Sequence, residues 1–409
     1  MKFLDSLPVK IALTGALALS MLIPLAMINS QINDRQNAAY SSREEVADSW
    51  GRSQTLTGPI LKFSYDVESL DQDQKKVVKR ETSVIYPHNL VYDVDLSTQT
   101  LHRSIYDIMV YGAEVEVDGD FVIPSDYVQK DLKEQVVSMG LSDLRGIDGP
   151  VEITLGEDAY SFKSSLSLPV SIVEAVMDGK TALPFHLTYR VRGSSSLMVR
   201  PYGENTEVKM RSNCPNPSFT GDFLPSERNI RDDGFSARWS VSEINRGKPD
   251  DTSFGVNLLQ GVTQYQKTTR SVKYGILIIL LVFIAGLAVE LLCKKKISIV
   301  QYLVIGLSLV LFYALVLSFS EFMNFTIAYA LAAIMTVGAL FGYFRGILRD
   351  RSAWLLTALT ALAYILSYVL LQMENYALLT GTLVLFVLLA GIMFLTRNLN
   401  QEESAVSDN

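Results

Sequence analysis

The stretch YGILIILLVFIAGLAVELLC, residues 274–293, decides the class of this protein. It is almost wholly apolar, and its one charged side chain, Glu290, stands near its end. A helix needs about 20 apolar residues to cross a hydrocarbon core about 30 Å thick, because each residue adds about 1.5 Å. The stretch therefore predicts a helix that spans a membrane.

Apolar runs of similar length lie before and after the polar middle of the chain. The predicted spans are Ile11–Ile28, 274–293, 299–319, 325–344, 353–371 and 377–395. The first run is longer than the core of a usual signal peptide, and no small-x-small cleavage site follows it in MINSQIND. We therefore predict an N-terminal segment with an uncleaved helix (1–29), a polar domain (30–273), a five-helix bundle (274–396) and a tail (397–409).

Lysine and arginine in the segments between the spans predict the orientation, because these residues resist translocation across a membrane. On one side of the predicted spans lie Lys2, Lys10, Lys294, Lys295, Lys296, Arg345, Arg349, Arg351 and Arg397. The short loops on the other side, SEFMN and QMEN, hold neither residue type. We expect both termini inside the cell and residues 30–273 outside.

The polar middle shows the pattern of β-strands. Apolar and polar residues alternate at 113–118, 185–192, 207–211 and 235–239. Such alternation is typical of antiparallel strands that have one face buried and the other in water. Two helices are also predicted, INDRQNAAYSSREEVADSW at 32–50 and SDYVQKDLKEQVVSM at 125–139, with turns at VDGD (117–120) and IDGP (147–150).

These patterns predict an α+β integral membrane protein in three parts: one N-terminal transmembrane helix, a mainly antiparallel-β domain outside the membrane, and a C-terminal five-helix transmembrane bundle. Membrane lipids are the partners that the spans imply. The net charge of −7 and the lack of a basic stripe in the polar middle argue against a nucleic-acid partner.

The sequence holds none of the motifs that mark common catalytic or cofactor sites. A phosphate-binding glycine loop, a GxSxG elbow, an HExxH pair and a Ser-x-x-Lys motif are all missing. His88, His102 and His186 have no further histidine or cysteine at metal-ligand spacing. We therefore expect no enzyme activity, no cofactor and no metal site.

Glu290 and Glu321 are the candidate polar sites of the predicted bundle, because a charge inside a membrane is costly and by default suggests a function. Glu290 lies one turn from Lys294, and Glu321 follows the span 299–319. No charged residue stands at the middle of a predicted span, which disfavours an ion-coupled transporter.

The stretch RSNCPNPSFTGDFLPSERN, residues 211–229, has the composition of a catalytic loop. Its prolines fix φ and remove backbone donors, so the strand that ends near Arg211 cannot continue through it. Its glycine permits a turn, and Phe219, Phe223 and Leu224 are expected to be apolar anchors that pin the stretch to the domain core or to the membrane surface. No histidine stands beside Cys214 to activate the thiol, so we interpret the cysteine as incidental and the stretch as a rigid connector.

Four stretches together resemble the CreD family of inner-membrane proteins. They are SNCPNPSFTGDFLPSER (212–228), DDGFSARW (232–239), QYLVIGLSLVLFYALVLSFSE (301–321) and LLTGTLVLFVLLAGIMFLTRN (378–398). The family pattern has tryptophan at Cys214 and histidine at Asn216, so the resemblance implies no thiol or histidine chemistry. The matching residues form the candidate recognition loop: Pro215, Pro217, Phe219, Gly221, Asp222, Phe223 and Pro225.

The resemblance implies an inner-membrane protein of Gram-negative bacteria with its large domain in the periplasm. It also implies a stress-response role in cell-envelope integrity under a two-component system of the same name, associated with tolerance to colicins and cell-wall-active drugs. It implies no assigned reaction, so no catalytic residue is carried over.

Three functions remain open at this point. The favoured one is a non-enzymatic envelope protein whose periplasmic domain binds an envelope component or partner protein. The second is a membrane-bound enzyme acting on a lipid-linked or cell-wall substrate with Asp222, Glu227 or Glu321 as acids. The third is a transporter or channel accessory protein. The sequence identifies neither ligand nor partner, and it leaves homo-oligomer formation open.

Overall fold

The computed structural model of the chain describes residues 7–70, 76–103, 106–124, 127, 132–171, 182–258, 263–293 and 296–372, together with 382 and 386. The chain forms two compact units. One unit is Met1–Ala39 with Val262–Asn409, and the other is Tyr40–Gly261. The described part of the first unit is helical, and that of the second is mainly β.

The helices of the described residues are α1 (Leu7–Ser20), α2 (Leu22–Trp50), α3 (Glu243–Arg246), α4 (Thr263–Lys273), α5 (Gly275–Cys293), α6 (Ile299–Ser320), α7 (Phe325–Leu348) and α8 (Ser352–Gln372). Five stretches in this part of the chain are long and apolar enough to cross a membrane: Val9–Trp50, Gln264–Glu290, Ile299–Ser320, Phe325–Leu348 and Ser352–Gln372. The predicted helix 32–50 is confirmed as part of α2. The predicted span 377–395, apart from 382 and 386, and the tail lie outside the described residues.

Side-chain caps explain where two bundle helices begin. Ser298 Oγ accepts from the backbone N–H of Gln301 at 3.3 Å, and the Gln301 side chain accepts from the backbone N–H of Ser298 at 2.8 Å. Asn324 accepts from the backbone N–H of Thr326 at 3.2 Å at the start of α7. These bonds satisfy N–H groups that a helix leaves unpaired, so α6 and α7 can begin after short loops.

The strands form two sheets. They are β1 (Gln54–Leu70), β2 (Lys76–Ile85), β3 (Asn89–Arg103), β4 (Tyr106–Val122), β5 (Leu132–Leu141), β6 (Val151–Leu155), β7 (Asp158–Phe162), β8 (Ser167–Pro169), β9 (Ala182–Ser194), β10 (Ser196–Val199), β11 (Asn205–Ser212), β12 (Ser218–Gly221), β13 (Glu227–Arg231), β14 (Gly234–Ser242) and β15 (Phe254–Asn257). One sheet has the order β12-β15-β10-β1-β5-β8 with β2 also paired to β1, and the other has the order β13-β14-β11-β3-β4-β9-β6-β7. Neighbours are antiparallel except β1 with β10 and β3 with β11.

The two sheets pack face to face around one core and form a β sandwich. The Tyr111 hydroxyl on β4 donates to the Ser196 carbonyl on β10 at 2.7 Å, which joins one sheet to the other. The Trp239 ring on β14 lies 5.8 Å from the Phe254 ring on β15. The alternation predicted from sequence holds, since inward residues of β9 such as Val191 are buried. The predicted order of N-terminal helix, β domain and C-terminal helical bundle is confirmed.

Two local predictions are wrong. The predicted helix 125–139 is contradicted over residues 132–139, because Leu132–Leu141 is strand β5 and pairs with β1, placing Val137 opposite Leu61. Sheet pairing outweighs the helical charge pattern there. The predicted turn 117–120 lies inside β4. A Cβ on Gly119 would come within 2.2 Å of the Asn89 carbonyl oxygen, so this glycine permits close strand packing and not a turn.

Candidate functional site

Residues 213–226, which we name the crossover segment, pass from one sheet of the sandwich to the other and back. The preceding strand β11 and the following strand β13 belong to the eight-stranded sheet. Between them, β12 pairs with β15 in the seven-stranded sheet, with Phe219 opposite Val256. The sequence predicted a rigid connector between two strands. The structure adds that this connector ties the two sheets together.

Aromatic side chains of the crossover segment pack onto the sandwich core. The Phe219 ring lies 5.6 Å from the Phe235 ring and 5.7 Å from the Trp239 ring. The Phe223 ring lies 5.8 Å from the Phe254 ring, and the Phe223 carbonyl accepts from Trp239 Nε1 at 3.2 Å. Both phenylalanines thus serve as the apolar anchors expected from the sequence.

Gly221 and Asp222 lock the segment to the backbone beside β15. Asp222 N donates to the Ser253 carbonyl at 2.9 Å, and Ser253 N donates to Asp222 Oδ2 at 2.8 Å. Gly221 has φ +102, and a Cβ there would lie 2.3 Å from the Ser253 carbonyl oxygen. Glycine is needed at this position because both the backbone angle and the close approach exclude a larger residue.

Hydrogen bonds to the backbone of Thr98 fix the start of the crossover segment. The Asn213 side chain accepts from the Thr98 backbone N–H at 2.8 Å and donates to the Thr98 carbonyl at 3.2 Å. Cys214 is 1% exposed and belongs to the sandwich core. A thiol buried among apolar side chains behaves as a small hydrophobic residue. The sequence did not reveal the partner of Asn213, since Thr98 is 115 residues away.

The outward side of the crossover segment is polar apart from one residue. Pro215, Pro217 and Pro225 are half-buried. Leu224 is 69% exposed, so the prediction that it anchors the segment to the domain core, as Phe219 and Phe223 do, is wrong. The exposed side chains around it are Asn216, Ser218, Thr220 and Asp222. The recognition role of the segment stays a prediction, and the geometry that bears on it is a small mixed surface on a fixed backbone.

The carboxylate of Glu290 contacts Lys10 of α1. The two side chains are 12% and 14% exposed and make an ion pair. Ile297 N lies 3.4 Å from Glu290 Oε1, while Oε2 is buried and has no hydrogen-bond partner among the described residues. The sequence placed Lys294 nearest to Glu290. Lys294 lies outside the described residues, and Lys10 is 280 residues away in the chain.

Glu321 pairs with Arg35 of α2 at 3.4 Å. The 25 positions from Lys10 to Arg35 correspond to roughly 37 Å of helix, which exceeds the hydrocarbon thickness of about 30 Å. The two ion pairs therefore lie toward opposite ends of the helical unit. Both candidate carboxylates hold the N-terminal helix against helices of the bundle, a role that neither residue's local sequence indicated.

The other titratable groups considered from the sequence have separate local partners. His88, His102 and His186 face Glu204, Asp107 and Asp118 respectively, all as exposed pairs. Glu227 is exposed on β13. Within the ranges that the structure describes, no group of three His, Cys, Asp or Glu side chains could hold a metal ion.

Comparison with known families gives a match that covers both the crossover segment and the described apolar helices. The sequence model described as "Inner membrane protein CreD" matches residues 6–402. The chain belongs to the CreD family. The curated "Inner membrane protein CreD" of Escherichia coli (strain K12) is 31% identical over 420 residues, covering 95% of this chain and 92% of that protein.

Membership of the CreD family agrees with the five helical stretches that are long enough to span a membrane. The protein is therefore a multi-pass protein of the inner membrane. The CreD match extends over both compact units, so it includes the crossover segment as well as the bundle.

Proposed function

We propose that this protein is a non-catalytic inner-membrane protein that supports cell-envelope integrity. Its β sandwich lies in the periplasm and binds an envelope component or a partner protein, and its helices hold the sandwich at the membrane. The observation that carries this proposal is the crossover segment. Its backbone is fixed at several points, while Leu224 and the polar residues around it face solvent.

A fixed backbone favours recognition. A surface that is already ordered loses little conformational entropy when a partner binds, so more of the contact energy appears as affinity. Asp222 fixes the segment by two hydrogen bonds to Ser253, and Phe219 and Phe223 pack onto buried rings. Leu224 is then the exposed apolar contact of a small polar surface.

Two of the three carboxylates considered for an enzyme have other roles in the structure. Asp222 accepts from the Ser253 backbone, and Glu321 faces Arg35. Glu227 is exposed on an edge strand. The contacts of Asp222 and Glu321 support the non-catalytic proposal, because a general acid or base needs a carboxylate free to reach its substrate. The exposed Glu227 is tested separately by substitution.

In-cell photo-crosslinking tests the proposed surface. A photoreactive amino acid placed at Leu224 is expected to capture a defined partner or envelope component, because the side chain lies at the centre of the surface. The matched control is Ile244 on α3, which is 97% exposed. Equal capture at both positions, or none at Leu224, would count against recognition by the crossover segment.

Glu227→Gln tests the enzyme alternative most cleanly, because Glu227 is exposed and its replacement leaves the backbone bonds of the segment intact. We expect normal protein levels and a normal envelope phenotype. Loss of the phenotype at normal protein levels would favour an enzyme. Leu224→Asp is the companion variant, and it is expected to weaken both the phenotype and the crosslink.

A further inference from the structure

Four hydroxyl-bearing side chains lie together inside the helical unit. We name Tyr313, Tyr329, Tyr364 and Ser367 the hydroxyl cluster. They come from α6, α7 and α8, and each is at most 3% exposed. Tyr364 precedes the end of α8 by eight residues, which places it about 12 Å from that end of the helix. The hydroxyl cluster is thus surrounded by protein.

Two of the four hydroxyls, those of Tyr313 and Tyr364, lack a hydrogen-bond partner among the described residues. The Tyr329 hydroxyl donates to the Tyr364 carbonyl at 2.9 Å. Ser367 Oγ lies beside the Tyr329 hydroxyl. The hydroxyls of Tyr313 and Tyr364 are buried, and none of the described residues gives them a hydrogen bond.

Close packing holds the phenol rings in place. The Phe312 ring lies 4.2 Å from the Tyr364 ring, 4.9 Å from the Tyr313 ring and 5.1 Å from the Tyr329 ring. A Cβ on Gly275 would lie 3.1 Å from Tyr313 Cε2. Because protein contacts surround them, the phenols have little freedom to turn toward other partners.

Burying these hydroxyls without a hydrogen-bond partner would lower the stability of the helical unit. A buried hydroxyl without a hydrogen bond loses its hydration and regains nothing, and several such groups would remove a large part of a protein's marginal net stability. The cluster contains no Lys, Arg, Asp or Glu, so an ion would lack a counter-charge. An uncharged group that both donates and accepts is the kind of partner that an unpaired hydroxyl takes.

We propose that the hydroxyl cluster is a binding site for small uncharged hydroxyl groups, either water or the alcohol of a lipid headgroup. The inference does not depend on what the sandwich binds. It assigns to the bundle a hydrated polar site in addition to its role as a membrane anchor.

A row of polar side chains leads from the end of α8 toward the cluster. Gln372 is exposed, and its Nε2 donates to the Tyr368 hydroxyl at 2.6 Å. The Tyr368 hydroxyl donates to Thr326 Oγ1 at 2.9 Å. The Tyr368 ring lies 5.2 Å from the Tyr329 ring, which belongs to the cluster. Water or a headgroup alcohol would enter along this row.

Radiolytic labelling of the full-length protein tests the site directly. Brief X-ray exposure in heavy-oxygen water adds oxygen to side chains that touch bound water, and mass spectrometry locates it. Tyr313 and Tyr364 are expected to label several-fold faster than Tyr92, which is fully buried in the sandwich and donates its hydroxyl to the Gly58 carbonyl. Labelling of both tyrosines no faster than Tyr92 in every lipid would overturn the proposal.

The choice of lipid distinguishes water from a headgroup alcohol as the group that binds. The measurement is repeated in nanodiscs of phosphatidylcholine, whose headgroup has no hydroxyl, and of phosphatidylglycerol, whose headgroup has two. Equal fast labelling in both lipids identifies water. Fast labelling in phosphatidylcholine that falls in phosphatidylglycerol identifies the lipid alcohol. Either result supports the site.

Phenylalanine variants provide a second measurement, the change in thermal midpoint. Its sign is expected to be opposite if no water or alcohol binds to the cluster. Tyr313→Phe and Tyr364→Phe are expected to lower the thermal midpoint of the full chain, because each removes a hydrogen bond to the bound group. Tyr343→Phe on α7, outside the cluster and partly exposed, is expected to leave the midpoint unchanged. A higher midpoint for both cluster variants would show that the hydroxyls are dry, and it would overturn the proposal.

Discussion

Replacing Lys10 by methionine is expected to destabilise the helical unit by about 3 kcal/mol, because it leaves the Glu290 charge without its partner. The two side chains are only 14% and 12% exposed. Breaking a buried ion pair typically costs about 3 to 5 kcal/mol. A lysine near a helix end reaches toward water, so the lower end of that range applies. The Ile297 N–H, at 3.4 Å, is too distant to replace the lysine.

A double-mutant cycle measures this coupling. The full-length protein is unfolded reversibly in mixed micelles, and the free energy is compared for Lys10→Met, Glu290→Leu and the double variant. The double variant is expected to recover most of the loss, because two apolar side chains replace an ion pair without leaving a buried charge. Additive effects of the two single changes would refute the reasoning.

The ion pair between Arg35 and Glu321 is the matched control, since it also joins the N-terminal helix to a later helix. Arg35 is 54% exposed, and the pair distance is 3.4 Å. Glu321 is 11% exposed, so the two pairs differ in the cation, which is half in solvent at Arg35 and 14% exposed at Lys10. An ion pair with one member in solvent contributes less than a pair with both members shielded. Arg35→Met is therefore expected to change the stability much less than Lys10→Met, and an equal or larger loss would contradict the assignment of burial as the cause.

Three further predictions concern the sandwich. Gly221→Ala is expected to lower the free energy of unfolding of the sandwich by more than about 1 kcal/mol, since Gly221 has φ +102 and lies against the Ser253 carbonyl. Urea unfolding followed by tryptophan fluorescence measures this change, and an unchanged free energy would contradict the prediction. Cys214→Ser is expected to keep the envelope phenotype. In the parent protein, Cys214 is expected to react with maleimide only after unfolding, because its side chain is buried. A Ser variant that folds but is inactive would reopen the case for thiol chemistry. The hydrogen bond from Arg145 lowers the pKa of Asp143, so ionised Asp143 stabilises the folded protein at pH values above its unfolded-state pKa. The difference in unfolding free energy between the parent protein and Asp143→Asn is therefore expected to shrink as the pH falls toward the lowered pKa. A difference that does not depend on pH would refute this prediction.

Part of the candidate site could be predicted from sequence. The prolines and phenylalanines at 215–225 indicated a rigid connector because their effects on φ and on packing are local. The partners that hold the connector were not predictable. Asp222 bonds to Ser253, 31 residues on, and β12 joins a sheet to which neither β11 nor β13 belongs. Only the folded pairing of distant strands brings these groups together.

The sequence by itself determined the helices of the bundle and the alternating strands of the sandwich, because apolar length and period are properties of neighbouring residues. The tertiary structure decided which residues meet when they are far apart in the chain. It made 132–141 a strand through pairing with β1, paired Glu290 with Lys10 across 280 residues, and gathered hydroxyls from three helices into one cluster. These outcomes depend on which surfaces meet, and that is set by the packing of the whole chain and not by any one segment.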